Sequence, residues 1–189
     1  MSLKRNKTAL VTGGAGFIGS NLVKKLVKEG WTVDVVDDMS NGHVSLLSEL
    51  SLRHLPNASF LKHYNAQIET RKQTEVIFVE DDFASLGILQ NIREKKYNVV
   101  FHQAAIPRVS YSVENPAETT NSNILKTVQL FESCVGNVRR VVFASSSSVY
   151  GGAENLPTAE HTPKNPKSPY AWQKSAIEDY AKLCYDLYG

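Results

Sequence analysis

Short runs of β-branched and other apolar residues alternate along this chain with longer amphipathic stretches. Such alternation is typical of a parallel sheet covered by helices. We therefore expect a doubly wound, Rossmann-like α/β fold with five or so strands and helices on both faces of the sheet. Strands are predicted at residues 9–12, 32–36, 76–79, 99–101 and 141–143, and helices at 16–29, 83–95, around 125–131 and at 170–187.

The stretch 41–74 breaks this alternation. Residues 43–50 could form a helix, whereas 57–74 has no clean period, so an irregular excursion is expected there. At 189 residues the chain can form one domain, or one domain and part of another.

Composition excludes several classes of protein. Apolar residues make up 42% and charged residues 21%, as in ordinary globular proteins. The net charge of +2 comes from scattered residues, so nucleic-acid binding is not expected. No apolar run approaches the roughly 20 residues that cross a bilayer, so no membrane contact is expected. The two cysteines, Cys134 and Cys184, cannot form a disulfide framework, which favours free thiols and a cytoplasmic location.

A glycine cluster lies between the first predicted strand and the first helix. Gly13, Gly16 and Gly19 would permit a tight turn whose backbone amides approach a pyrophosphate at the helix N terminus. Asp37 follows at the end of the second strand, as the dinucleotide fingerprint requires. Its carboxylate would bind ribose hydroxyls and repel a 2′-phosphate, and no arginine lies between Asp37 and His43. This pattern predicts NAD as the cofactor.

Two roles are equally compatible with the position of Asp38. It could bind the ribose beside Asp37, or it could be a solvated loop acid.

Tyr170 and Lys174 are separated by one helical turn, so their side chains should emerge on the same face of the last predicted helix. An ammonium beside a phenol lowers the pKa of the phenol and makes it a usable base. Together with a dinucleotide, this pair predicts redox chemistry at a carbinol carbon.

These motifs together resemble the extended short-chain dehydrogenase/reductase family. The resemblance rests on the Gly-x-x-Gly-x-x-Gly spacing, Tyr-x-x-x-Lys, the segment 143–151 (Phe-Ala-Ser-Ser-Ser-Ser-Val-Tyr-Gly), the segment 168–174 (Ser-Pro-Tyr-Ala-Trp-Gln-Lys) and His102-Gln103-Ala104-Ala105. Within the family the chain is most similar to the nucleotide-sugar 4-epimerases that act on UDP-glucose or UDP-N-acetylglucosamine.

The resemblance implies a mechanism. Tyr170 would remove the proton of the sugar 4-hydroxyl while hydride leaves C4 for the nicotinamide, and hydride would return to the opposite face of the 4-keto sugar. Lys174 would hold the nicotinamide ribose and lower the pKa of Tyr170. Ser146 would hydrogen-bond the 4-oxygen and relay its proton, with Ser147 as a possible helper.

The resemblance also implies cofactor and substrate contacts. Arg108 would bind substrate together with Ser146 and Ser147, although a solvated loop arginine is an equal reading. No metal is expected. The implied cofactor-binding residues are Gly13, Gly16, Phe17, Ile18, Gly19, Asp37, Asp38, Asn41, Asp82, Phe83, Gln103, Ala104, Ala105, Asn123, Tyr170 and Lys174.

The serine run argues against a related reaction. Dehydratases of the family place an Asp-Glu pair where this chain has Ser147 and Ser148, so dehydration is not expected.

The chain ends just after the Tyr/Lys helix, where relatives continue into a substrate-binding portion. Residues 1–189 are therefore expected to be an NAD-binding Rossmann domain without its C-terminal substrate domain. The favoured hypothesis is the NAD-binding portion of a UDP-sugar 4-epimerase that forms a homodimer. A non-catalytic NAD-binding module completed by another chain and a small-carbonyl oxidoreductase remain alternatives.

Overall fold

The computed structural model describes residues 7–56, 71–72, 75–152 and 156–189. Its strands are β1 (Thr8–Thr12), β2 (Thr32–Asp37), β3 (Leu52–Pro56), β4 (Val76–Glu80), β5 (Val99–His102) and β6 (Arg140–Phe143). Its α-helices are α1 (Phe17–Lys28), α2 (Leu86–Arg93), α3 (Val109–Glu114), α4 (Pro116–Thr120), α5 (Lys126–Cys134) and α6 (Pro169–Tyr188). A π turn (Asn121–Leu125) joins α4 to α5, and short 3₁₀ helices cover Val44–Leu47 and Ser147–Tyr150.

The described strands form one parallel sheet of six strands in the order β3-β4-β2-β1-β5-β6. Strand order reverses at β1, where Thr12 pairs with Val36 of β2 on one side and His102 of β5 on the other. In open α/β sheets, ligands bind beyond the carboxyl ends of the strands at such a reversal. The predicted Rossmann-like parallel sheet is confirmed.

One strand was missing from the sequence prediction. β3 lies at the edge of the sheet and pairs only with β4 among the described strands. Its sequence includes the polar residues Arg53 and His54, so it lacks the apolar run of a central strand. The pairing with β4, which is long-range in the chain, therefore defines this strand.

Two other expectations need adjustment. The helix expected at 43–50 is only the short 3₁₀ helix Val44–Leu47. The helix expected from residue 83 begins at Leu86, because Asp82 Oδ1 accepts a hydrogen bond from the Ala84 N–H (2.8 Å) and holds a turn there. Of the excursion expected at 57–74, residues 57–70 and 73–74 lie outside the described residues.

The chain divides into two compact units. The first contains Met1–Ala104 and Gly136–Phe143, and therefore all six described strands. Its core is formed by apolar side chains of the central strands and of α1, among them Val11, Val23, Val35 and Phe78. Burial of this apolar surface is what positions the strand ends.

The second unit contains Ala105–Val135 and Ala144–Gly189. It includes α3 to α6, and α6 contacts α3, α4 and α5. The N terminus of α6 is set by Ser168, whose Oγ accepts a hydrogen bond from the Ala171 N–H (3.1 Å), and by Pro169 in the first turn. This start places Tyr170 in the first turn of the helix.

Candidate functional site

The glycine loop lies at the carboxyl end of β1. Gly13 adopts φ +68° and donates its N–H to the carbonyl of Val36 (2.8 Å). A Cβ on Gly13 would lie 2.6 Å from the Ala104 nitrogen, and one on Gly19 would lie 2.1 Å from the Gly13 oxygen. These positions therefore require glycine, and the loop brings backbone close to backbone at the reversal of strand order.

The first turn of α1 presents large apolar side chains to solvent. Phe17 is 80% exposed and Ile18 is 65% exposed. The first N–H groups of any helix lack acceptors within it, and the helix dipole favours an anion there. Gly16, the N-cap residue, supplies the bend into this helix. These N–H groups are the ones expected to face a phosphate, and phosphate binding at the start of α1 stays a prediction.

Asp37 ends β2 and is buried. Its Oδ2 accepts a hydrogen bond from the Ala15 N–H (2.9 Å), and its Oδ1 accepts one from the Met39 N–H (3.0 Å). Burial raises the pKa of Asp37, and these two backbone hydrogen bonds partly offset that rise. Asp37 thus links the glycine loop to the turn after β2, and each of its oxygens keeps a lone pair for a ribose hydroxyl.

The turn after Asp37 is more exposed. The Asp38 carboxylate accepts hydrogen bonds from the backbone N–H of Ser40 (2.9 Å) and from its hydroxyl (2.6 Å). Asn41 is exposed, whereas Gly42 is buried and approaches Asp37 so closely that a Cβ would lie 2.7 Å from Oδ1. Asp38 is therefore an exposed turn residue, and both interpretations of it, ribose ligand and solvated loop acid, stay predictions.

Two further strand ends contribute predicted cofactor residues to the first unit. Asp82 and Phe83 follow β4, and the Phe83 ring packs on the His102 ring with their centroids 4.8 Å apart. Gln103 follows β5 and donates its N–H to the Thr12 carbonyl (3.0 Å). Most predicted cofactor residues thus gather at the carboxyl ends of β1, β2, β4 and β5.

A buried polar pair at the strand reversal was not singled out from the sequence. Thr12 Oγ1 and His102 Nδ1 lie 2.7 Å apart, and both side chains are buried. Thr12 Oγ1 also accepts a hydrogen bond from the Ala104 N–H (3.3 Å). The pair therefore holds the turn at Gln103 and Ala104 beside the glycine loop. The available signal was a threonine and a histidine each ending an apolar strand.

In the second unit, Tyr170 and Ser146 are brought together. The Ser146 side chain lies close enough to the Tyr170 hydroxyl to lower the pKa of the phenol, and the Tyr170 backbone N–H donates to Ser112 Oγ (3.1 Å). Burial raises the pKa of Tyr170, while the Ser146 side chain lowers it in part. The sequence predicted a lowered pKa; the net direction is the opposite because desolvation of the phenolate outweighs that effect.

Lys174 completes this group. Its side chain is buried, its Nζ lies 5.9 Å from the centre of the Tyr170 ring, and it donates a hydrogen bond to the Ala144 carbonyl (3.0 Å). Burial lowers the pKa of Lys174 to about 8. The ammonium is therefore still mostly protonated at neutral pH, and it is held beside the phenol as the spacing predicted.

The serine segment is ordered by its own hydroxyls. Ser146 Oγ accepts a hydrogen bond from the Ser148 N–H (3.2 Å) and lies 2.8 Å from Ser148 Oγ. Ser146 thereby caps the 3₁₀ helix that starts at Ser147. Ser147 is exposed, as is Arg108, the N-cap residue of α3. Neither of these predicted substrate residues is drawn into the Ser146–Tyr170 contact.

Asn123 lies in the π turn and is buried. Its Nδ2 donates to the carbonyl of Ile106 (3.1 Å) and to Gln173 Oε1 (2.8 Å), and its Oδ1 accepts from the Ile106 N–H (2.8 Å). Both N–H donors of Asn123 therefore bond to protein groups. The side chain fixes the turn that follows half-buried Ala105 and ties it to α6.

Gln173 is a further residue that the sequence analysis did not single out. It is fully buried, and its Nε2 donates to Thr119 Oγ1 and Thr120 Oγ1, both at 3.0 Å. A glutamine next to the predicted catalytic lysine was the only signal in the sequence. Its network anchors α6 at the turn that carries Tyr170 and Lys174.

Comparison with known proteins places this arrangement in a family. The model of the NAD dependent epimerase/dehydratase family matches residues 9–189. The chain belongs to this family. The match spans the glycine loop of the first unit and the Ser146, Tyr170 and Lys174 group of the second.

Family relatives include a UDP-glucose 4-epimerase of Mycolicibacterium smegmatis, 38% identical over 181 residues, which cover 95% of this chain and 51% of that protein. The structure of Thermus thermophilus UDP-glucose 4-epimerase in complex with NAD aligns with a TM-score of 0.76 at 33% identity, covering 96% of this chain and 52% of that one. The UDP-N-acetylglucosamine 4-epimerase of Methanobrevibacter ruminantium, in complex with UDP-N-acetylmuramic acid, aligns with a TM-score of 0.77 at 30% identity, covering 97% and 52%.

This family member spans about half the length of the curated relatives it matches. Across the part of the chain that the structure describes, none of the helices combines the length and apolar character needed to cross a membrane.

Proposed function

We propose that this chain is the NAD-binding portion of a nucleotide-sugar 4-epimerase, which inverts C4 of a UDP-hexose or UDP-N-acetylhexosamine through a 4-keto intermediate. The observation that carries the proposal is the grouping of Ser146, Tyr170 and Lys174 in one unit, with the phenol close to the serine side chain and the ammonium beside the phenol. Neighbours of both substrate types align equally well, which supports a UDP-sugar and leaves the sugar open.

NAD binding is supported by the first unit. Its glycine loop admits close approach at the start of α1, and Asp37 keeps acceptor capacity for ribose hydroxyls. Bound NAD would supply the hydride acceptor and donor. Gly13, Gly16, Gly19, Phe17 and Ile18 would hold its diphosphate, Asp37 its adenosine ribose, and Asp82, Phe83 and the turn at 103–105 the remaining adenosine and ribose contacts.

Proton transfer is assigned to this chain's own groups. Tyr170 would take the proton of the sugar hydroxyl and return it, and Ser146 would hydrogen-bond the same oxygen. Because burial raises the pKa of Tyr170, the resting phenol is neutral at physiological pH. Positive charge beside it then favours the phenolate, and Lys174, with its pKa of about 8, is the protein's source of that charge.

Arg108 and Ser147 are exposed, and we assign them to substrate contacts near the sugar and its diphosphate.

A homodimer through α6 is supported by the exposed apolar side chains on its C-terminal half, including Leu183, Tyr185 and Leu187. Free thiols at Cys134 and Cys184 support a reducing, cytoplasmic compartment.

The test begins with titration of NAD and NADP into the purified chain by calorimetry, where NAD should bind more tightly. UDP-glucose/UDP-galactose interconversion and the corresponding N-acetyl pair should then be assayed with NAD. Tyr170→Phe should abolish turnover and leave NAD affinity nearly unchanged. NAD binding without epimerisation of either pair would favour a non-catalytic module. Reduction of simple ketones by NADH would instead favour the oxidoreductase.

A further inference from the structure

Three residues on one face of α6 contact residues 144–146, which directly precede the 3₁₀ helix Ser147–Tyr150. Tyr170, Lys174 and Glu178 follow one another at intervals of four, which places them on the same helix face. The Tyr170 phenol lies beside the Ser146 side chain, and Lys174 donates a hydrogen bond to the Ala144 carbonyl. Glu178 accepts a hydrogen bond from the Ser145 hydroxyl. We call these the three rungs between α6 and residues 144–146.

Glu178, which makes the third of these contacts, is also paired with Lys164. Lys164 places its Nζ 3.3 Å from Glu178 Oε2 and 2.5 Å from Asp179 Oδ1. The Glu178 side chain is 30% exposed, so it lies at the rim rather than in the core. A carboxylate accepting from a serine hydroxyl while paired with an ammonium makes a charge-assisted hydrogen bond, which is stronger and more directional than a neutral one.

We propose that Glu178 is a positioning residue for the proposed epimerase reaction: by holding Ser145, it fixes the adjacent Ser146 hydroxyl against the phenol of Tyr170. The inference rests on the proposed function for its catalytic meaning, and on the three rungs for its geometry.

The geometry makes this role specific. Ser145 and Ser146 are adjacent, so a rotation of the backbone at Ser145 displaces the Ser146 hydroxyl directly. The bonds between Ser146 and Ser148 order the 3₁₀ helix internally but do not attach it to α6. Lys174 secures only the backbone of Ala144, on the far side of Ser145. Glu178 is therefore the side-chain contact that fixes the residue immediately before the proposed catalytic serine.

The experiment reads the Tyr170 phenol itself, in the NAD-free chain. Tyrosine labelled with carbon-13 at Cζ gives one NMR signal per residue, and Tyr170→Phe identifies the relevant one among the eight tyrosines. Ser146→Ala defines the shift that results when the serine hydroxyl beside the phenol is removed. Glu178→Ala and Ser145→Ala should each move the Tyr170 signal toward the Ser146→Ala position and raise its titration midpoint. The double variant should go no further than either single one.

Matched variants separate positioning from general loosening. Glu178→Gln keeps an oxygen acceptor for Ser145 and should largely restore the wild-type signal. Asp179→Ala removes the other carboxylate paired with Lys164 and should leave the Tyr170 signal unchanged. The remaining tyrosine signals report whether each variant is folded.

The proposal is overturned if Glu178→Ala leaves the Tyr170 signal at its wild-type position, if Asp179→Ala shifts it equally, or if the Glu178 and Ser145 effects simply add. Because none of these readouts needs a sugar or turnover, they are independent of the epimerase assays. A correct signal pattern with no epimerisation would reject the proposed function and leave the positioning contact standing.

Discussion

The ammonium of Lys174 donates a hydrogen bond to the carbonyl oxygen of Ala144 across 3.0 Å, and the lysine side chain is only 7% exposed. Burial lowers the pKa of this lysine to about 8 from an ordinary value of 10.5. A lysine whose pKa is lower in the folded state binds fewer protons there than in the unfolded chain between those two pH values. Stability attributable to Lys174 must therefore rise with pH across that window.

Replacing this lysine should remove that pH dependence. The wild type gains stability with pH across this window and the variant does not. The free energy of unfolding of Lys174→Met relative to the wild type should therefore fall by about 3 kcal/mol between pH 8 and 10.5. The lost bond to Ala144 costs about 1 kcal/mol at every pH, so the slope is the diagnostic quantity. Urea unfolding of both proteins across the pH range measures it. Parallel stability curves would contradict the buried-ammonium interpretation.

The glycine loop gives a second prediction. Replacing glycine by alanine inside a helix normally stabilises the helix, but a Cβ on Gly19 would lie 2.1 Å from the Gly13 oxygen. Gly19→Ala should therefore destabilise the fold by about 2 kcal/mol and weaken NAD binding at least ~10-fold. Thermal unfolding and calorimetry measure the two effects.

Gly30→Ala is the matched control for the loop. Gly30 also lies in the first unit, at φ +80°, with open space around its Cβ position. Its replacement should cost roughly 1 kcal/mol from backbone strain and leave NAD affinity unchanged. Equal losses of NAD affinity in the two variants would show that the close approach at Gly19 is irrelevant to binding.

The sequence predicted a secondary-structure element best where a single local pattern, such as an apolar run, determines that element. Apolar runs predicted the central strands β1, β2, β4 and β5 to within a residue, because strands buried on both faces carry nearly continuous apolar side chains. β3 was missed because Arg53 and His54 interrupt its apolar run, so its pairing with β4, a long-range contact that local pattern does not encode, is what defines it. Likewise, the π turn at Asn121–Leu125 has no local signature in an amphipathic helix.

For the candidate site, spacing placed Tyr170 and Lys174 on one face of a helix, and the structure agrees. Spacing could not give the balance of energies that sets the pKa of Tyr170, because that depends on how deeply the phenol is buried. Nor could it reveal that Gln173 and Asn123 bond to each other, since they are far apart in the chain. Their partnership depends on tertiary packing.

Asp37 supports a third prediction. Its two oxygens accept from the Ala15 and Met39 amides, and an asparagine would offer only one acceptor oxygen for them. Asp37→Asn should weaken NAD binding by about 10- to 100-fold, since hydrogen bonds to charged groups contribute about 1.5–3 kcal/mol. Calorimetric titration with NAD measures the loss.

Asp38→Asn distinguishes the two readings of the neighbouring acid. Asp38 is exposed and bonds to Ser40, so its replacement should change NAD affinity much less than Asp37→Asn does. Equal losses would assign the ribose to both acids. Unchanged affinity in Asp37→Asn would reject its cofactor role altogether.

The buried amide network beside the proposed catalytic pair gives the last prediction. Gln173→Leu removes the acceptor of Asn123 Nδ2 and the donor to Thr119 and Thr120, and leaves these polar groups without that partner in a buried site. The free energy of unfolding should fall by about 3 kcal/mol, because a buried polar group that loses its partner retains its desolvation cost. Gln90→Leu is the matched control, since Gln90 is exposed on α2 and bonds only to Glu94 among the described contacts; its effect should stay within about 0.5 kcal/mol. Equilibrium unfolding in urea compares the two, and equal stabilities of both variants would mean that the network is not what anchors α6.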